Sequence, residues 1–209
     1  MFKKIKDKYK ETGLINELCE HLRNIGINAT LLESGSSEAV GGILALGNIK
    51  VEGRNLDLIQ VERQPGGGSN IVYQYHYAVR ANVEGLEDKL KADAKPITKG
   101  LFSKEVVDLK WEGKELAQLL NTDSDLKSML LKEGLDKVVV RPDKKHQCVM
   151  ITHPPKIPRQ VSVSIGGLPS IPVRGGGLTA GRKEFPTLEE FDAYDRIAKH
   201  IRSIAGVRP

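Results

Sequence analysis

Between Ile71 and Val83 the odd positions hold Ile71, Tyr73, Tyr75, Tyr77, Val79, Ala81 and Val83, while Gln74, His76, Arg80 and Asn82 stand among the even ones. A period of two places successive side chains on opposite faces of a strand. This segment therefore predicts a long strand with one buried face and one wetter face, the tyrosines packing across strands. A strand with a single apolar face needs partners, and the chain supplies them. Ala29–Glu33 reads as a short strand, and Ile43–Glu52 and Leu56–Arg63 flank a tight turn at Gly53-Arg54-Asn55. Val106–Trp111 is another strand, and Lys137–Arg141 and Gln147–Thr152 form a hairpin across Pro142–Lys145.

Helical spacing supplies the cover. Leu14, Leu18, Leu22 and Ile25 recur on one stripe, with Gly26 as the stop. Gly13 interrupts the pattern and suggests a start near Thr12. Leu86–Ala94 reads as a short helix. Glu115–Leu120 and Thr122–Lys132 read as two successive helices, with Thr122 as N-cap of the second and Gly134 as its stop. The fold class that follows is α+β, a mainly antiparallel sheet with helices packed on it.

From His153 to Gly181 the composition changes, with five prolines and six glycines. So long a connection is uncommon inside a compact domain and reads as an extended arm. After it, Thr187 and Glu190 make a capping box. Leu188, Phe191, Tyr194, Ile197, Ala198, Ile201 and Ala205 line one face of a last helix, which Gly206 ends. The organisation expected is a core over 1–153, an arm over 154–186 and a C-terminal amphipathic helix over 187–206.

The stretch from about Leu44 to Ile151 resembles an uncharacterised domain of prokaryotic proteins. The residues that carry the likeness are Ile49–Arg54, Tyr73-Gln74-Tyr75-His76-Tyr77, Leu109-Lys110-Trp111, Leu126–Leu131 and Cys148–Ile151. The resemblance implies an α+β fold and brings no activity with it.

Charge narrows the functional classes. Of the net +5, residues 1–10 carry five lysines against one aspartate, and residues 141–209 carry twelve basic against six acidic residues; the middle is acidic. Basic ends admit weak nucleic-acid or polyanion binding. Two cysteines, Cys19 and Cys148, are too few for a disulfide scaffold and read as free thiols, and no long apolar segment follows the basic start. The expected setting is cytoplasmic, without a transmembrane segment.

Chemical motifs are sparse. Gly176–Lys183 has Arg182 and Lys183 where a phosphate-binding loop carries Lys and Ser or Thr, so with Arg174 it makes at most an anion nest. His146, Cys148 and His153 lack the fourth ligand of a structural zinc site; Cys19 and His21 join them only through tertiary folding. Asp57, Glu52 and Glu62 lie around one hairpin as a carboxylate group. Asp192–Arg196 and Asp195–Lys199 stand at the spacing of intrahelical ion pairs. No cofactor signature is present, and no catalytic residue is assigned.

The function expected first is a non-enzymatic binding or assembly module. Leu188, Phe191, Tyr194, Ile197 and Ile201 would dock onto the body or onto a partner subunit in a homo-oligomer, and truncation after His153 would weaken self-association without unfolding the body. Nucleic-acid or polyanion binding through the basic ends is the alternative. The third reading is an enzyme whose residues meet only in the fold, which a deep pocket containing His76 or His21 beside a carboxylate would favour.

Overall fold

The structure, a computed structural model, describes residues 2–33, 36–41, 45–65, 71–100, 105–154 and 185–207, with side chains from Gly13 onward except at 64, 65, 71 and 72. The arm over 155–184, including Arg174, Arg182 and Lys183, lies outside the described residues.

The architecture is α+β. Helix α1 (Phe2–Asn24) is followed by strands β1 (Asn28–Leu31), β2 (Ala45–Glu52), β3 (Leu58–Pro65), β4 (Ile71–Arg80), β5 (Ala92–Lys99) and β6 (Glu105–Gly113). Helices α2 (Glu115–Thr122) and α3 (Ser124–Lys132), the hairpin β7 (Val139–Asp143) and β8 (Cys148–Thr152), and helix α4 (Leu188–Ala205) complete it. The strands form one antiparallel sheet in the order β1-β2-β3-β4-β8-β7-β5-β6. The long alternating strand β4 sits at its centre, between β3 and β8.

One face of this sheet meets all four helices. Leu14, Leu18 and Leu22 of α1, Val61 of β3, Tyr77 and Val79 of β4, Trp111 of β6, Leu126 of α3 and Ile151 of β8 share one core with Phe191, Tyr194, Ile197 and Ile201 of α4. Tyr77 is the joint between β4 and α4, stacked on Tyr194 with ring centroids 4.1 Å apart and meeting Phe191 edge-on. Stacked and edge-on aromatic pairs add about 0.5–1.5 kcal/mol beyond their area. Tyr73 and Tyr75 pack half-buried against the same core. The tyrosine face is therefore covered by the chain's own helix.

Several local expectations change. Helix α1 starts at Phe2, well before Thr12. The expected helix over Leu86–Ala94 is a series of turns at 84–89 leading into β5. Ala92–Ala94 are taken by backbone pairing with Gly113, Glu112 and Trp111, so tertiary pairing outweighs local helix preference. Pro96 fits this interior strand because β7 pairs with β5 only at Ala92 and Asp93. The N-cap of α3 is Asp123, whose carboxylate accepts the Leu126 N–H, while Thr122 ends α2.

Helix α4 carries both halves of its capping box, Thr187 Oγ1 accepting from Glu190 N–H and the Glu190 carboxylate accepting from Thr187 N–H. Gly206 closes it with φ +68°, a left-handed conformation that glycine adopts without a Cβ penalty.

Candidate functional site

Alternation along β3, β4 and β8 sends Val61, Tyr77 and Ile151 to the helices, and so sends Gln60, Glu62, His76 and Thr152 to the other face. No described helix covers that face. The register sets Gln60 opposite His76, and His76 opposite Thr152, on three adjacent strands. Asn48 stands opposite Gln60 on β2, which extends the row.

Within this row three side chains are joined in line. His76 Nε2 lies 2.8 Å from Glu62 Oε2, and His76 Nδ1 lies 2.8 Å from Thr152 Oγ1. An ionised carboxylate only accepts hydrogen bonds, so Nε2 carries the proton toward Glu62. In the neutral ring Nδ1 is then an acceptor, and the Thr152 hydroxyl donates to it. The imidazole and the carboxyl side chain are partly enclosed, 16% and 21% exposed.

Apolar and polar neighbours hold the cluster. Val40, Leu58, Ala78 and Cys148 form a second small core on this face, with Leu32 and Met150 packed on it. Segment 36–41 is tied down where Asn48 exchanges two hydrogen bonds with the Val40 backbone, at 3.1 and 3.2 Å. Gly41 lies so close to the Gln60 amide that a Cβ there would overlap it. Gln74 Nε2 donates to the carbonyl of His153 at 3.3 Å, fixing the chain just beyond Thr152. Burial lifts the Cys148 thiol to about 12, with the Asp143 charge adding to the effect; it is no nucleophile at neutral pH.

The other residues singled out in the sequence are dispersed. Asp57 accepts from Arg202 and from the Arg80 backbone, Glu52 lies beside Lys50, and Glu62 alone joins His76. The three carboxylates thus serve different partners, because Asp57 faces α4 while Glu62 lies on the face that no described helix covers. His146 is held by Asp143 at 2.6 Å. Burial raises the Asp143 carboxyl, but the His146 side chain and the backbone N–H groups of His146 and Lys145 together outweigh it and keep the group below the usual range. His21 lies 2.9 Å from the Pro186 carbonyl and beside the Phe185 ring. The open groove at the β1–β2 edge, lined among others by Glu33, Glu38, Lys50 and Glu52 and about 580 Å³ in volume, contains none of the row.

The face of α4 expected to dock on the body or on a partner subunit packs on the body of its own chain. Phe191, Tyr194, Ile197 and Ile201 are buried in the main core, and Leu188 is 37% exposed. Its charged residues also reach outward to other elements, and the expected intrahelical pairs do not form the network seen. Asp192 meets Arg54 at 3.1 Å. Asp195 accepts from the Asn55 and Leu56 backbone N–H groups and from the Asn55 amide. Arg196 and His200 converge on Asp123, at 2.7 and 2.8 Å. Tertiary partners in better desolvated positions win over neighbours on the same exposed surface.

No protein-family model, curated protein or solved structure matches this chain. No described helix is long and apolar enough to cross a membrane.

Proposed function

We propose that the chain is a binding module whose ligand site is the Glu62–His76–Thr152 cluster on the sheet face that no described helix covers. The observation that carries this reading is the convergence of a carboxylate, an imidazole and a hydroxyl, mutually oriented and partly enclosed, from three neighbouring strands. Convergent polar groups against an apolar surround are the usual make-up of a small-molecule site. The Glu62 charge opposes an anion, and the apolar neighbours Leu58, Ala78 and Met150 disfavour burial of any further charge, so the ligand class is uncharged and carries a carbonyl or hydroxyl that can exchange hydrogen bonds with His76 and Thr152. A cytoplasmic setting accords with two buried free thiols, Cys19 and Cys148.

The role of α4 in this reading is structural. Its apolar stripe closes the core, and its charged residues anchor the β2–β3 turn and the α2–α3 junction. Nucleic-acid binding through the C-terminal region has less support, since Arg196 is paired with Asp123 and Asp125 and Arg202 with Asp57.

A ligand-observed NMR screen of uncharged carbonyl- and hydroxyl-bearing fragments tests the proposal. Fragments that bind the parent and lose binding in a folded His76→Ala variant are the expected result. A screen in which every hit binds both proteins alike overturns it.

A further inference from the structure

We infer that Thr152 is the nucleophile of an acyl-transfer site on this face, with His76 as its base and Glu62 as the positioning residue; this rests on the reading of the cluster as a ligand site. The geometry is that of an activated hydroxyl. A weak nucleophile needs an adjacent base within about 2.6–3.2 Å, and that base needs a third group to set its orientation. Both links here are 2.8 Å. Glu62 does more than hold the ring. By accepting a hydrogen bond from Nε2–H it leaves the Nδ1 lone pair facing Thr152, the tautomer able to accept the hydroxyl proton.

The reaction balances without any further reagent. Thr152 Oγ1 attacks the carbonyl carbon of an uncharged ester, and its proton passes to His76 Nδ1 as the new C–O bond forms. The bond to the leaving alkoxide breaks, and the alkoxide takes that proton from the imidazolium. The acyl group is left on Thr152, and water attacking the same carbonyl by the reverse proton path releases it as a carboxylic acid. The substrate class is an uncharged carboxylic ester.

Cross-strand pairing is what assembles the site. His76 and Thr152 lie directly opposite each other in the β4–β8 ladder, and Glu62 is one diagonal step away on β3. All three are on regular strands, so the relay is held by backbone hydrogen bonds and does not depend on loop closure.

The test uses the full chain and p-nitrophenyl acetate, with release of p-nitrophenolate followed by absorbance and the acetylated residues located by mass spectrometry. Acetyl on Thr152 is expected in the parent and absent in Thr152→Val. In His76→Gln its formation should slow by roughly 10²–10⁴-fold, the usual contribution of a positioned base. Acetylation of surface lysines is the internal control and should be equal in all three. For Glu62→Gln, ¹⁵N shifts of the His76 ring should show Nδ1 gaining proton occupancy, together with slower acetylation. A purely structural Glu62 would leave the tautomer unchanged and overturns its assignment. Thr152 acetylated no faster than the exposed hydroxyls of Ser124 and Ser203 overturns the nucleophile. Should fragments still bind in a His76-dependent way, that second failure leaves the ligand site standing; should they not, both readings fall.

Discussion

Asp195 accepts three hydrogen bonds from the turn that joins β2 to β3, at 2.7, 2.7 and 3.0 Å, from a position only 8% exposed. It stands one helical turn from buried Ala198 and Phe191, so α4 presents a carboxylate and an apolar stripe to the body together. Asp195→Ala leaves two backbone N–H groups without acceptors and should cost about 3 kcal/mol by urea denaturation, at the upper end for a charged hydrogen-bonding group. A loss under about 0.5 kcal/mol, the scale of an exposed intrahelical pair, would show the contact to be incidental. Asp123 supplies a pH-dependent counterpart. Burial alone would raise its carboxyl, but hydrogen bonds from Arg196, His200 and the Leu126 N–H together outweigh it and leave the group well below the ordinary value of 3.8. A carboxyl lowered in the folded state contributes stability that is present above its unfolded value and fades as pH falls through the folded one. Asp123→Asn should therefore be less stable than the parent at pH 7 by about 2 kcal/mol. In urea titrations the difference should narrow from about pH 4 downward. A difference that grows in acid would refute this sign.

At the scale of elements, much of the order was legible in advance. The period-two signal of β4, the apolar stripes of α1 and α4, and the turn and cap residues at Gly53, Thr187 and Gly206 all carry local physical causes that survive folding. Strand β5 was not legible, because its Ala, Asp, Lys and Pro content has no strand preference and its state is set by pairing with β6. The edge formed by β6 explains a further pair of residues. As the last strand in the order, β6 has no neighbour beyond it among the described residues, and such an edge invites pairing with another chain. Here Asn121 takes both backbone groups of Trp111, at 2.9 and 2.8 Å, and the Asp108 carboxylate takes the Leu109 N–H at 2.7 Å. Nearby Ile97 and Val107 are exposed, so an unblocked edge would also offer apolar surface. Asn121→Ala should free the Trp111 groups and raise concentration-dependent association in sedimentation velocity. A distribution identical to the parent's across the concentration range would mean that Asn121 is not what protects this edge.

For the whole molecule, the distinction between legible and hidden follows sequence distance. Glu62 and His76 lie on strands that are consecutive in sequence, but Thr152 reaches them only because β8 inserts between β4 and β7, a topological fact without a local signature. The position of α4 was hidden for the same reason. Its stripe demanded burial, yet nothing in residues 187–206 says against what, and an independent appendage was as consistent with the pattern as a core element. The packing decides the energetics of truncation. Phe191, Tyr194, Ile197 and Ile201 are all 4% exposed or less, and full burial of such side chains is worth about 1.5–3 kcal/mol each. Losing roughly 6–12 kcal/mol from a domain whose net stability is typically 5–15 kcal/mol leaves little or nothing. Removal would also uncover Tyr77 and take from Asp123, Asp57 and the 53–56 turn the partners that α4 supplies. The expectation that a chain ending after His153 keeps a folded body is therefore reversed: the truncated protein should lack cooperative thermal unfolding and expose apolar surface to a hydrophobic dye. To separate core loss from loss of the arm alone, a chain with 155–184 replaced by a Gly/Ser linker of equal length should retain the parent's unfolding transition. A cooperative transition in the chain ending after His153 would show that α4 is dispensable to the core.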